Sequence, residues 1–327
     1  VDISFLNPFV NFITLFAGLG ILLFAGDLLV KGSVGLANKL SIPPLVIGLT
    51  IIAFGTSAPE LVVSVKSAIN GMAGLALGNV IGSNIANIFM VLGVPILFAS
   101  ILCNQKRAAH NIIILCVFTA IFTAMLFTQE LTWIHGIILV AMLVFYLVDN
   151  ARWAMKNRST TGDSDHSDDM VFEEVDNIPT KNILIAVYIL CGFIGLPIAA
   201  HLTVTSASAI ATSLGVSDAV IGLTIIAVGT SLPELASTIA AVRQKQHDLG
   251  VGNIIGSNIF NIVAIVGITA LIHPLSVPQR LVEFDIWVMI LALIALLPFV
   301  LFKLKMGRGV GIMFSLAYAT YIVSNFI

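Results

Sequence analysis

Ten apolar stretches, each long enough to cross a bilayer, divide this chain into five, a polar interval, and five more. They lie near residues 9–38, 43–70, 75–100, 110–128 and 131–151, then near 182–213, 217–242, 249–273, 283–303 and 309–326. One span needs about 20 predominantly apolar residues. Composition removes the water-soluble alternative, because 58% of the residues are hydrophobic and only 10% are charged. A soluble domain is about 25% charged, and a globule of this size could not hide so much hydrocarbon. Disorder needs the opposite balance. The expected fold class is therefore an all-α membrane protein with ten transmembrane helices. It divides into a first repeat at 1–151 (spans 1–5), a cytoplasmic acidic linker at 152–181, and a second repeat at 182–327 (spans 6–10).

Loop charge sets the expected orientation, since Lys and Arg near helix ends are retained on the cytoplasmic side. The loops after spans one, three, five, seven and nine hold 13 of the 15 basic residues; Lys66 and Arg280 are the other two. Those loops are expected in the cytoplasm and both termini outside it, in a plasma (inner) membrane. Val1 to Pro8 lacks a positively charged leader, so the first span is expected to stay in the mature protein. The net charge of −2 offers no basic patch for nucleic acid. Cys103, Cys116 and Cys191 have no metal or redox spacing and are expected to be small core residues. The acids of the polar interval (Asp163, Asp165, Asp168, Asp169, Glu173, Glu174, Asp176) lack the glycine and terminal glutamate of an EF-hand loop, which favours a solvated linker.

Residues 48–93 match residues 222–267 without a gap, with 23 identities in 46 positions. The identities concentrate in two blocks: GLTIIAFGTSAPEL against GLTIIAVGTSLPEL, and GNVIGSNIANI against GNIIGSNIFNI. Lipid-facing helices need only be apolar and would drift evenly, whereas these blocks have stayed alike. Each half holds an odd number of spans, so the second enters the membrane from the opposite side and the repeats are inverted. Inverted repeats with interrupted helices are common in secondary transporters, which bind substrate near the midplane.

Within the first block Gly55 and Gly229 are expected to loosen the helix, while Pro59 and Pro233 remove a donor and crowd the preceding turn. Unwinding there would free carbonyls, tolerable in hydrocarbon only against protein, water or an ion. Glu60 and Glu234 follow at once, deep in apolar runs, where an ionised side chain costs about 2.5 kcal/mol or more. Ser57-Ala-Pro-Glu60 and Ser231-Leu-Pro-Glu234 also fit a capping box. That local reading leaves the second block unexplained. The second block supplies Ser83 with Asn87, and Ser257 with Asn261, each pair four apart on one helical face. With Thr56, Ser57, Thr230 and Ser231 they make a two-fold set of neutral oxygens around two carboxylates, a donor set suited to calcium or sodium. Gly78, Gly82, Gly252 and Gly256 would let the helices approach closely. Asp27 and His201 occupy equivalent positions with different chemistry, so a structural bond or gating role is expected of them rather than ligation.

These paired blocks resemble the calcium/cation antiporter superfamily, specifically the sodium/calcium exchangers, whose two alpha-repeats carry GTS-x-PE and GSN-x-x-N/D signatures. The resemblance implies that Glu60 and Glu234 are central ligands shared by calcium and sodium. It implies that Thr56, Ser57, Ser83, Thr230, Ser231 and Ser257 give oxygens to sodium, joined by the backbone carbonyls of Ala53 and Ala227. Asn87 and Asn261 would complete the centre. Many relatives, potassium-dependent ones among them, carry Asp where this chain has Asn261, which argues against potassium coupling. The function expected is sodium/calcium antiport by alternating access, with protons competing for the carboxylates and spans one and six as the sliding pair. Proton/calcium antiport and a cation channel are the alternatives. No enzyme activity, cofactor or protein partner is expected; calcium, sodium and the lipid bilayer are the interacting species.

Overall fold

The computed structural model describes residues 8–102, 106–156, 178–215 and 227–324. Cys103, linker residues 157–177 and the start of the seventh predicted span lie outside them. The described chain is helical apart from a two-residue antiparallel ladder, β1 (Glu130–Leu131) with β2 (Leu275–Ser276). The helices are α1 (Pro8–Leu40), α2 (Pro44–Thr56), α3 (Ala58–Ile69), α4 (Ala73–Phe98), α5 (Lys106–Leu126) and α6 (Trp133–Lys156). After the interval come α7 (Asn182–Ser213), α8 (Ala227–Thr230), α9 (Leu232–Arg243), α10 (His247–Ile272), α11 (Leu281–Leu301) and α12 (Arg308–Ser324). Seven of these are long and apolar enough to cross a membrane, and α2 with α3 makes an eighth crossing if the bent pair is one span. α6 runs on to Lys156, past the expected boundary at residue 151.

Helix ends follow local chemistry. α1 closes with Ser41 at φ 54°, where the Ile42 amide reaches back to Ala37 O, and Pro44 then opens α2. Pro suits a first turn because its missing N–H is not needed there. α3 ends at Gly71 (φ 75°), with Met72 N–H on Ser67 O; α9 ends in the same turn with Lys245 at φ 56° and Gln246 N–H on Ala241 O. Glycine takes this left-handed conformation freely, whereas a lysine pays about 1–2 kcal/mol of crowding.

The core is built across the two halves of the sequence. α4 and α10, almost wholly buried, stand at its centre. α12 crosses α4 where Gly311 meets the Gly93 carbonyl, and α6 crosses α10 where Gly136 meets the Gly267 carbonyl; an added Cβ would stand 2.9 Å from either oxygen. Loops interlock as well: β1 pairs with β2, and Ile101 exchanges backbone hydrogen bonds of 3.0 and 2.8 Å with Met306. Each of these contacts joins an early segment to a late one.

α1 and α7 run along each other outside this core. Their contact uses small residues, with Gly18 against Thr203, Gly32 against Ile189 and Gly192 against Leu29. They share a separate apolar cluster with Ile47, Ile52, Ala236 and Ala240. Large side chains such as Phe16, Phe24, Ile194, Ile198, Leu291 and Ile294 point outward. In water such a surface would be an association hazard; in a bilayer it is the solvated face.

Several expectations change here. Cys191 is exposed and so is not a core residue, whereas Cys116, half-buried, packs against the core; a small apolar thiol facing lipid carries no penalty. Gly55 and Gly229 do not loosen their helices. Both are helical, and a Cβ would lie 2.0 Å from Phe193 and 2.2 Å from Val204, so they are where α7 passes closest. The helix also does not unwind: the break between α2 and α3 is the single residue Ser57, with a bend of 43°.

Candidate cation-binding site

The site forms where α2 crosses α10 and the two broken spans meet. Close approach is permitted by glycine: a Cβ at Gly252 would lie 2.8 Å from Leu45 O, and one at Gly256 would lie 2.6 Å from Leu49 O. That contact lays the end of α2 along the polar stripe of α10. Thr56 Oγ1 lies 3.4 Å from Asn253 Oδ1 and 3.5 Å from Ser257 Oγ, while also donating to Ile52 O within its own helix.

Ser57 Oγ donates to Glu234 Oε1 at 3.0 Å, joining the first break to the second carboxylate. Neither Ser57 nor Ser231 makes a side-chain cap, so the capping-box reading is not what the serines do. Glu60 and Glu234 are each only 1% exposed. Both Glu60 oxygens lack a hydrogen-bond partner among the described residues, as do Glu234 Oε2, Asn87 Oδ1, Ser231 Oγ and both polar atoms of Asn261. Buried polar atoms are normally paired. This is a concentration of unshared oxygen around two carboxylates, a donor set of the kind that could hold a hard cation.

The other expected residues fall on the same elements. Ser83 and Ser257 are buried on α4 and α10 one turn before Asn87 and Asn261, which open π-helical segments at Asn87–Leu92 and Asn261–Val266. Such segments recur at functional sites. Asn87 Nδ2 donates to Asn258 Oδ1 at 3.2 Å, again across the halves. The Ala53 carbonyl accepts Ser57 N–H at 3.1 Å, so it is not free of its helix, although a carbonyl has a second lone pair. Ala227 opens α8, and Thr230, half-buried, closes it. Asp27 is absent from this centre. It pairs with Lys31 at 3.0 Å and accepts Gln244 Nε2 at 2.6 Å, which is a structural bond between α1 and the end of α9. His201 is exposed on α7.

Two residues escaped the sequence reading. Asn79 Nδ2 donates to Ser64 Oγ (3.0 Å) and to Glu60 O (3.3 Å). Asn253 Nδ2 donates to Ser237 Oγ (3.0 Å), which donates to Glu234 O (3.0 Å). Each asparagine braces the backbone of one glutamate. The available signal was spacing: Asn79, Ser83 and Asn87 stand at i, i+4 and i+8, as do Asn253, Ser257 and Asn261.

A family model described as "Sodium/calcium exchanger protein" matches residues 10–150 and 184–327. The chain is 37% identical to the putative antiporter CaxA of Alkalimonas amylolytica, over 89% of each sequence. It is 33% identical to the sodium/calcium exchanger MaX1 of Methanosarcina acetivorans, over 97% of this chain and 99% of that one. A solved structure of the sodium-calcium exchanger NCX_Mj, soaked with 10 mM Na+ and 10 mM Sr2+, superimposes with a TM-score of 0.80 at 32% identity, covering 97% of this chain and 99% of the other.

Proposed function

The chain belongs to the sodium/calcium exchanger family, and we propose that it exchanges its two ions at one central site built around Glu60 and Glu234. It is an integral membrane protein and an antiporter of sodium and calcium. The observation that carries the site is the pair of buried carboxylates among unshared oxygens, with Ser57 of the first half bonded to Glu234 of the second. One calcium ion neutralises both. Two or more sodium ions compete for the same oxygens, with Thr56, Ser57, Ser83, Thr230, Ser231, Ser257, Asn87, Asn261 and the carbonyls of Ala53 and Ala227 completing the shells. Protons compete for the carboxylates, and no cofactor is needed beyond the ions carried.

Exchange is coupled because the vacant, doubly charged centre is costly to carry through a dry interior. Either cargo discharges it, so the change of access is favoured when an ion is bound. In this reading the chain forms ten spans as two inverted repeats in a plasma membrane, with both termini outside the cytoplasm, and it transports rather than catalyses. α1 and α7 are the moving pair. Their separate apolar cluster supports that role, as do the approaches of α7 to Gly55 and Gly229, just before Thr56 and Thr230.

The test is calcium uptake into proteoliposomes preloaded with sodium. Uptake is expected with a sodium gradient and absent when potassium replaces sodium. Uptake that follows an imposed proton gradient and ignores sodium would transfer the assignment to proton/calcium exchange. Ser57→Ala is expected to weaken calcium by about 1.5–3 kcal/mol, the usual worth of a hydrogen bond to a charged group. The apparent KM for calcium should therefore rise roughly tenfold or more, measured in the same vesicles.

A further inference from the structure

The π-helical segment in α2 is met from outside the helix. In a regular α-helix the Ala53 amide donates to the carbonyl four residues back, that of Leu49. Over Gly48–Ile52 the turn is wider, and the Ala53 N–H is directed at the carbonyls of Gly48 and Thr50 instead. The Leu49 carbonyl accepts the Tyr146 hydroxyl of α6 at 2.8 Å.

Tyr146 is fully buried and held firmly. Its ring meets Phe260 edge-on at 6.2 Å, and Phe260, the neighbour of Asn261, lies 5.8 Å from Phe54 of α2. One turn further along α6, Asn150 donates to the Tyr146 carbonyl (3.0 Å) and to Asn111 (3.1 Å), and accepts Arg107 Nε (3.2 Å). Arg107 in turn pairs with Asp149 and lies over Trp153, 5.3 Å from the ring centre. A polar chain thus runs from the start of α5 through α6 to the bulge.

A wide turn inserts a residue, and each residue of helix is about 100° of rotation. The bulge therefore sets which way every later residue of α2 faces. Those residues include Thr56, whose hydroxyl now meets Asn253 and Ser257, and they lead to Ser57, whose hydroxyl meets Glu234. The crossings at Gly136 and Gly311 align α6 with α12 so that Tyr146 matches Tyr321, whose hydroxyl donates to Asp285 Oδ1 at 3.0 Å. The adjacent Thr320 serves as a control. It is exposed, and its hydroxyl bonds Leu316 O of its own helix at 2.9 Å.

We propose that Tyr146 is a positioning residue for ion exchange: its hydroxyl holds the α2 bulge, and through it the direction of Thr56 and Ser57. This rests on the reading of the central site as the exchange site. The test compares wild type, Tyr146→Phe and Thr320→Val by sodium-driven calcium uptake and by amide hydrogen exchange over residues 48–57. Phenylalanine keeps the packing and removes one donor. The apparent KM for calcium is expected to rise about fivefold, the worth of one neutral hydrogen bond, with the maximal rate within about twofold and faster amide exchange over that segment. Thr320→Val should change neither. Unaltered amide exchange overturns the brace whatever ion is carried. Faster exchange with an unaltered KM, or a loss of rate and melting temperature alone, overturns its link to the site. Wild type that fails to transport sinks the function instead, and the exchange arm still decides the brace. Should Tyr146→Phe not accumulate, 4-fluorophenylalanine at position 146 removes the same donor and fills the volume more closely.

Discussion

Glu60→Gln and Glu234→Gln are each expected to abolish sodium-driven calcium uptake while leaving a folded protein. Glutamine keeps the shape and one carbonyl oxygen, so the surrounding helices have no reason to move. What changes is charge: a single carboxylate remains to balance a divalent ion taken out of water. Truncating one partner of a buried charge pair costs about 2–5 kcal/mol, which is roughly 30- to 5,000-fold in affinity. Uptake at micromolar calcium should fall to the level of empty vesicles, with an unchanged elution profile in detergent. The two variants should also differ. Glu234 already receives the Ser57 hydroxyl, whereas neither Glu60 oxygen has a partner among the described residues. Glu60→Gln therefore removes a charge alone, whereas Glu234→Gln also disturbs the bond from the Ser57 hydroxyl. Wild-type uptake in either variant would remove the centre from the mechanism.

Gly256→Ala and Gly256→Val are the second pair with large expected effects, acting on the fold rather than on charge. A Cβ at Gly256 would lie 2.6 Å from Leu49 O, 2.7 Å from Ala53 Cβ and 2.9 Å from Leu49 C. Two of those atoms are backbone, so no side chain can swing aside, and α2 and α10 must separate. Overpacking of this kind costs about 1–3 kcal/mol for one carbon, and valine adds two more. The melting temperature in detergent should fall by several degrees for alanine and further for valine. Calcium affinity should fall with it, because separation draws Thr56 from Ser257. Gly20→Ala is the control: nothing lies within 4 Å of a Cβ there, and its stability should be unchanged or slightly higher. Equal stability of Gly256→Val and Gly20→Ala would show that the crossing is not under compression.

The apolar runs were legible because hydrocarbon leaves a chain few choices: the run expected at 182–213 is α7 to the residue. The paired glutamates were legible through duplication, since only a shared task keeps two distant segments alike. Partnership between helices was not. Helical spacing reports which residues share a face, never which face of another helix it meets, and so spacing placed Ser57 among the site oxygens without showing that its hydroxyl belongs to Glu234. Gly55 and Gly229 read as weak points when each is a seat for a side chain of α7. The π-helical segments at Gly48–Ile52, Asn87–Leu92 and Asn261–Val266 leave no compositional trace, and with them the role of Tyr146 was out of reach.

The crossing of α12 over α4, and of α6 over α10, bears on how such a chain is made. A ribosome delivers the early helices first, and α4 then waits in the bilayer with Asn87 lacking its partner Asn258, not yet synthesised. Neither half can mature ahead of the other. Biogenesis must shelter that polar side chain from lipid until the last helix arrives, and a chain cut in the middle yields two orphans rather than two smaller transporters.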